Sequence, residues 1–296
     1  MSFKYESCEK AASAGNLEEL KKMHENGFTW GWNTPAYAAE NGHLECLKYA
    51  HENGCPWDQA TPSYAALNGY IECLKYVHEN GCEWDIYTPG YAAENGHLEC
   101  LKYAHENGCQ WDGMTPAWAA ENGHLECLRY AFENGCPWDC WTTARSVSNG
   151  HLECLKYEHE NGCLWDWKTT AYAAKNGHLE CLRYAFENGC EWNEWTPTYA
   201  AQNGHLECFK YCFEKWDDPQ DFWNITFNLT KIIDKIDFDD PVWRKLFSLD
   251  LSKNPTIQEK VENKKKEIEK IQEEIKNVLK DILPNDIIQY CIHPFI

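Results

Sequence analysis

The side chains with the most chemical reach in this sequence are histidines and cysteines that return at fixed distances. His43-x2-Cys46-x4-His51-x3-Cys55 offers four donors at a spacing close to that of a small zinc site. Equivalent positions elsewhere in the chain speak against it. His51 is replaced by Phe132, Phe186 and Phe213, His43 by Tyr70, and Cys46 by Glu19. A ligand that exchanges freely for phenylalanine is a packing position. On a helix, His51 also lies about 140° around from Cys46, so the two do not share a face. Glutamate and histidine recur as well, but only because the sequence repeats, and no glycine-rich phosphate loop or nucleophile elbow accompanies them. The sequence therefore predicts no catalytic residue, no metal and no cofactor.

These residues recur because the chain does. Asn41-Gly42-His43-Leu44-Glu45-Cys46 returns almost unchanged at Asn68, Asn95, Asn122, Asn149, Asn176 and Asn203, a period of 27 residues. Trp30, Trp57, Trp84, Trp111, Trp138, Trp165 and Trp192 keep the same step. Eight units begin near Ser7, Thr34, Thr61, Thr88, Thr115, Thr142, Thr169 and Thr196. Repetition without insertions implies a solenoid, in which each unit covers the apolar face of its neighbour.

Each unit reads as two short helices. Thr34 is expected as N-cap and Pro35 as first helical residue. The first helix continues through Ala36-Tyr37-Ala38-Ala39-Glu40 and stops at Gly42, a left-handed C-terminal glycine. The second is expected from about His43 to Asn53, with Leu44, Leu47, Ala50 and His51 on one face and Gly54 ending it. Cys46 and Cys55 then read as small core residues, and Trp57 and Tyr49 as rings packed between units.

Thr34-Pro35, Ala38-Ala39, Asn41-Gly42-His43-Leu44-Glu45 and Gly54 together resemble the ankyrin repeat. The ankyrin unit has roughly 33 residues, and this one is about six shorter. The two register if the missing residues lie between Asp58 and Thr61, where ankyrins build their β-turn fingers. Short units of this kind are similar to those of protist and large DNA virus proteins. The resemblance implies an all-α, ankyrin-like helix-turn-helix solenoid with shortened fingers, a helical C-terminal extension, and work as a protein-protein interaction scaffold. It implies no reaction, since such folds carry interchangeable surfaces.

Binding residues are expected where units differ. The two residues before each Thr vary, as in Gln59-Ala60, Ile86-Tyr87, Gly113-Met114, Cys140-Trp141, Trp167-Lys168 and Glu194-Trp195. The unit beginning at Thr142 also puts Arg145 at the Tyr37 position and Ser148 at the Glu40 position. In ankyrin-like scaffolds this edge and the first-helix face form the concave binding surface. Tyr87, Met114, Trp141, Arg145, Trp167 and Trp195 are the candidate partner contacts, since aromatic and arginine side chains anchor interfaces.

The repeats are expected over 1–217 and a capping region over 218–254. Residues 255–282 are expected as a long helix whose Ile257, Val261, Lys264, Ile268, Ile271, Ile275, Val278 and Ile282 follow a 4,3 spacing. Docking on its own chain is preferred to dimerisation, so a monomer is expected. In 283–296, Leu283-Pro284-Asn285-Asp286-Ile287 is similar to the opening of an F-box. If carried over, Leu283, Pro284, Ile287, Ile288 and Ile292 would contact the adaptor of a cullin-type ubiquitin ligase, and the repeats would recruit its substrate. A helix N-terminus with proline and an acidic residue explains the same letters.

Charge and composition bound the partners. With 47 acidic against 27 basic residues the net charge is −20, which argues against nucleic acid and anionic membranes. No apolar run approaches the roughly 20 residues that span a bilayer. The odd count of 17 cysteines and the lack of an apolar leader after Met1 predict reduced thiols in the cytoplasm.

Overall fold

The computed structural model describes residues 3–138, 140–225, 228, 229 and 231–279. They form helices, with no strand among them. The candidate adaptor contacts Leu283, Pro284, Ile287, Ile288 and Ile292, and the seam residue Ile282, lie outside the described residues.

The helices come in pairs, one pair per repeat. The first four pairs are α1 (Cys8–Ser13) with α2 (Leu17–Glu25), α3 (Asn33–Glu40) with α4 (Leu44–Glu52), α5 (Ala60–Leu67) with α6 (Ile71–Glu79), and α7 (Thr88–Glu94) with α8 (Leu98–Glu106). Then follow α9 (Met114–Glu121) with α10 (Leu125–Glu133), α11 (Cys140–Ser148) with α12 (Leu152–Glu160), α13 (Trp167–Asn176) with α14 (Leu179–Glu187), and α15 (Trp195–Asn203) with α16 (Leu206–Lys215). Beyond the repeats come α17 (Pro219–Asn224), α18 (Pro241–Arg244) and α19 (Pro255–Leu279).

Both helix ends in a repeat need glycine, for different reasons. Gly42 has φ +73°. Its N–H donates to Ala39 O at 3.2 Å, and His43 N donates to Ala38 O at 2.8 Å, the paired bonds of a Schellman ending. A Cβ on Gly42 would also come within 2.4 Å of the Tyr70 ring. Gly54 has φ +80°, but a Cβ there would meet open space. One glycine answers to backbone and packing, the other to backbone alone.

The expected N-cap is corrected. Thr34 lies inside α3, fully buried, and the helix begins one residue earlier. Thr34 N donates to Gly31 O at 2.9 Å, and at the equivalent, also buried Thr61 the turn aspartate does the capping instead. Asp58 Oδ1 accepts from Ala60 N and Asp58 O from Thr61 N, both at 3.0 Å. A buried threonine in the first turn cannot point back along the axis as a cap must.

By its contacts the chain divides into two compact units. One comprises residues up to Ala173 together with Glu180–Glu191, the other Ala174–Leu179 and the residues from Trp192 on. Within the first, α1, α3, α5, α7, α9 and α11 pack side by side in one layer, and α2, α4, α6, α8, α10 and α12 in a second. The core is built from small residues facing leucine. Ala38 and Ala39 let the first helices approach closely, while Leu47, Leu74, Leu101, Leu128 and Leu155 are fully buried on the second helices. Each such leucine contributes about 2 kcal/mol of burial.

In the second unit, Phe209 stands where the other repeats have Leu, Leu20 and Leu47 being examples. Its ring lies 5.3 Å from Phe222, and Phe213 stacks on Trp243 at 5.6 Å. Ile232 and Leu246 are fully buried in the same region. The opening of α19 packs within this unit through buried Ile257 and Val261, while Ile271, Ile275 and Val278 further along the seam are exposed. Lys264, which breaks the apolar seam, pairs with Glu267 at 3.4 Å.

Candidate aromatic binding face

The second helices carry an aromatic ladder that accounts for the apparent metal ligands. His51 stacks on Trp57 with ring centroids 3.9 Å apart. Tyr76 of the next repeat meets His51 edge-on at 5.7 Å, and its hydroxyl shares a hydrogen bond with His51 Nδ1 at 3.0 Å. The unit recurs as His24-Trp30-Tyr49 and His78-Trp84-Tyr103. Phe132 takes the histidine's place on Trp138 at 4.0 Å without disturbing the stack. The position requires a flat ring, as the internal substitutions indicated. Each stacked or edge-on pair adds about 1 kcal/mol beyond burial.

The cysteines face the core. Every cysteine whose side chain is described is a buried free thiol. Burial, the largest cause, raises Cys46 to about 11 and Cys55 to about 12. Cys55 does more than fill space, because its Sγ donates to Gly31 O at 3.3 Å, and Cys82 Sγ donates likewise to Asp58 O at 3.2 Å. These thiols tie one repeat to the turn of the repeat before. Among the described residues no three His, Cys, Asp or Glu side chains gather to hold a metal ion, and no helix is long and apolar enough to cross a membrane.

The turn edge and first-helix face are different. Tyr87 is 47% exposed and Trp141 54% exposed. Trp167 is also exposed, and Met114 and Arg145 are half-buried. In the second unit, Trp195 is exposed and lies 5.7 Å from Tyr199. Tyr87 lies 6.2 Å from Tyr91 and 6.3 Å from Trp118, and Tyr91 stacks on Trp118 at 5.8 Å with the rings 9° apart. Gly90 makes that stack possible, since a Cβ there would come within 2.6 Å of the Trp118 ring. Burial raises the Tyr91 phenol pKa first, followed by the Asp85 and Glu94 carboxylates and the Tyr87 and Tyr64 phenols. Lys168 Nζ sits 5.2 Å above the Trp141 ring, and Arg145 pairs with Glu121.

Sequence comparison agrees with this architecture. The family model described as Ankyrin repeats (3 copies) matches residues 9–88, 63–143, 90–157 and 143–221, together well over half of the chain. The chain belongs to the ankyrin repeat family. Ankyrin repeats generally mediate protein-protein interaction. A search of curated proteins finds no match.

Within this ankyrin array three features escaped the reading of candidate sites. Trp32, 46% exposed, occupies the same turn position as Ile86 and Trp167. Its place in that variable column was the signal. The aromatic column of the first helix, Tyr91 and Trp118 above all, was masked because tyrosine there is nearly constant. The third is in the core of the sixth ankyrin repeat. Glu158, fully buried, stands where other repeats have Ala50, Ala104 or Ala131, and Ser146 where they have Ala38 or Ala65. Both depart from alanine in one repeat, which was legible, but they do not touch the exposed face.

Proposed function

We propose that this ankyrin array is a noncatalytic binding module that captures a partner protein on the edge bearing Tyr87, Met114, Trp141, Arg145 and Trp167, with Trp195 a contact on the second unit. One observation carries the reading. The chain packs one set of aromatic rings into its interrepeat ladder, yet leaves Tyr87, Trp141 and Trp167 exposed at the turns. Large exposed rings are interface anchors by type, and their loss costs about 2 kcal/mol or more when they are buried by a partner. The free buried thiols support a reducing, cytoplasmic setting.

The test is affinity capture with the full chain beside the triple variant Tyr87→Ala, Trp141→Ala, Trp167→Ala. Partner retention should be lost while far-ultraviolet circular dichroism is preserved. Retention by the triple variant would sink the reading.

A second reading attaches to the C-terminal segment, favoured by the Leu283-Pro284-x-acid-Ile287 pattern alone. In it Leu283, Pro284, Ile287, Ile288 and Ile292 dock a ubiquitin-ligase adaptor, and the repeats present its substrate. A truncation ending at Asp281 should then lose the adaptor and keep the other partners.

A further inference from the structure

We propose that Tyr87, Tyr91 and Trp118, with the carboxylate of Glu94 beside them, receive an arginine side chain from a basic segment of the partner protein. This rests on the reading of the turn edge and first-helix face as the binding surface, and adds the chemistry of what binds.

The platform is a departure from the repeat pattern. Position 90 is glycine where other repeats have Ala36, Ser63 and Ala117, and position 118 is tryptophan where they have Tyr64 and Tyr91. The two changes act together, since only a glycine allows the larger ring to lie down over it, 2.6 Å from where a Cβ would be. The result is a stacked pair of rings, Tyr91 on Trp118, with the exposed Tyr87 ring tilted against both.

The chain shows on this same face what such a surface does with a cation. One repeat further on, Arg145 stands at the column position of Trp118 and Glu121 at that of Glu94, and the two form an ion pair. By the equivalence of the repeats, a guanidinium laid on the Trp118 ring would meet Glu94 as Arg145 meets Glu121. In the next turn, Lys168 places its ammonium 5.2 Å over Trp141. Glu94 has no ion pair among the described residues. Its charge and that of Asp85 are felt at the rings, since both carboxylates disfavour ionisation of the Tyr91 phenol.

Charge complementarity favours a basic occupant, because the chain carries a net −20. Geometry favours arginine over lysine. The planar guanidinium stacks on a ring and still forks toward a carboxylate, whereas an ammonium is a point charge that keeps its water. A solvated loop position would require neither the Gly90 and Trp118 pair nor the stack.

The test uses the full chain and fluorescein-labelled Gly-Arg-Gly-Arg-Gly-Arg, with Gly-Lys and Gly-Glu peptides of the same length, read by fluorescence anisotropy at about 0.15 M salt, where long-range attraction to a −20 protein is screened. The Arg peptide should bind, the Lys peptide about threefold or more weakly, and the Glu peptide not at all. Trp118→Ala should weaken Arg-peptide binding about tenfold and Glu94→Gln about threefold to tenfold, while Glu133→Gln, an equal charge change at the far end of α10, should stay within about twofold. If Trp118→Ala loses helicity, Glu94→Gln against Glu133→Gln decides. No Arg-peptide binding, equal Lys-peptide binding, or equal loss at Glu94 and Glu133 would each overturn the proposal. Loss of partner capture in the triple variant alongside any of these would leave the binding face standing and remove only its arginine preference. Capture surviving the triple variant would remove the face itself.

Discussion

Ser146 Oγ donates to Glu158 Oε1 at 2.7 Å in the middle of an otherwise apolar core. Both side chains are fully buried, and Glu158 Oε2 finds no hydrogen-bond partner among the described residues. Every other repeat closes this gap without a charge, with Met23, Ala50, Val77, Ala104, Ala131, Ala185 or Cys212 on the second helix. A carboxylate with one donor cannot offset the loss of water around both its oxygens, so the neutral acid is the form that fits. Burial accordingly pushes Glu158 up to about 8, with the Ser146 hydrogen bond acting weakly in the opposite direction.

The consequence is a stability that falls with rising pH. The folded chain holds a proton on Glu158 that the unfolded chain releases near its ordinary value of 4.5. The stability this supplies is full below about 4.5, declines as pH rises, and is lost by the time pH has passed about 8. The span is on the order of a few kcal/mol. Urea midpoints at several pH values, for wild type and Glu158→Gln, should converge below about 4.5 and separate in favour of Gln as pH rises toward about 8. Glu158→Ala with Ser146→Ala restores the pair of the other repeats and should behave like Gln. Parallel curves for wild type and Glu158→Gln would show that burial does not raise the Glu158 pKa above its unfolded value.

Gly42→Ala and Gly54→Ala make a matched pair. Both place alanine at positive φ, which costs about 1–2 kcal/mol. Only Gly42 also drives a Cβ against the Tyr70 ring. Gly42→Ala should lower the denaturation midpoint clearly more than Gly54→Ala. A Gly42→Ala, Tyr70→Ala double variant should recover part of the excess, because it clears the obstructing ring. Equal costs at the two glycines would mean that the ring moves away freely.

Much of the architecture was legible because the sequence repeats itself. Phe132 at the His51 position marked a packing position rather than a metal ligand, and Gly42 and Gly54 marked both helix ends. What failed depended on direction or distance. Thr61-Pro62 looks like a cap and first turn, but the threonine is buried and Asp58 of the preceding turn takes the role. Cys55 read as a small apolar filler, while its hydrogen bond to Gly31 O crosses 24 residues. Glu158 and Ser146 are visible as exceptions one at a time, and only packing α11 on α12 joins them. On the proposed binding face, Tyr87 and Trp141 were singled out because their positions vary. The near-constant tyrosines of the first helix hid the platform that Trp118 completes.

The aromatic ladder predicts a graded response at His51. His51→Phe copies what the chain does at Phe132 and should shift the thermal midpoint little, within about 1 kcal/mol. Tyr76→Phe removes only the hydroxyl bonded to His51 Nδ1 and should cost about 1 kcal/mol. His51→Ala empties the space above Trp57 and should cost more than either. A metal ligand would reverse the order, with His51→Phe as damaging as His51→Ala, and chelator treatment would then lower the wild-type midpoint as well.

The thiols offer a test of the core. Cys55, Cys82, Cys109 and Cys136 are raised by burial to about 12. At pH 8 such a group is ionised about one time in ten thousand, and only the thiolate attacks a disulfide reagent. A thiol made reactive for metal binding or redox exchange would be shifted in the opposite direction. Native protein treated with an aromatic disulfide reagent at pH 8, then digested and read by mass spectrometry, should show these cysteines unmodified over minutes. The same residues should label fully in urea. Rapid native labelling of Cys55 would mean that its turn opens and that the bond to Gly31 O does not hold it, whereas labelling that tracks the urea midpoint would place these cysteines inside the cooperative core.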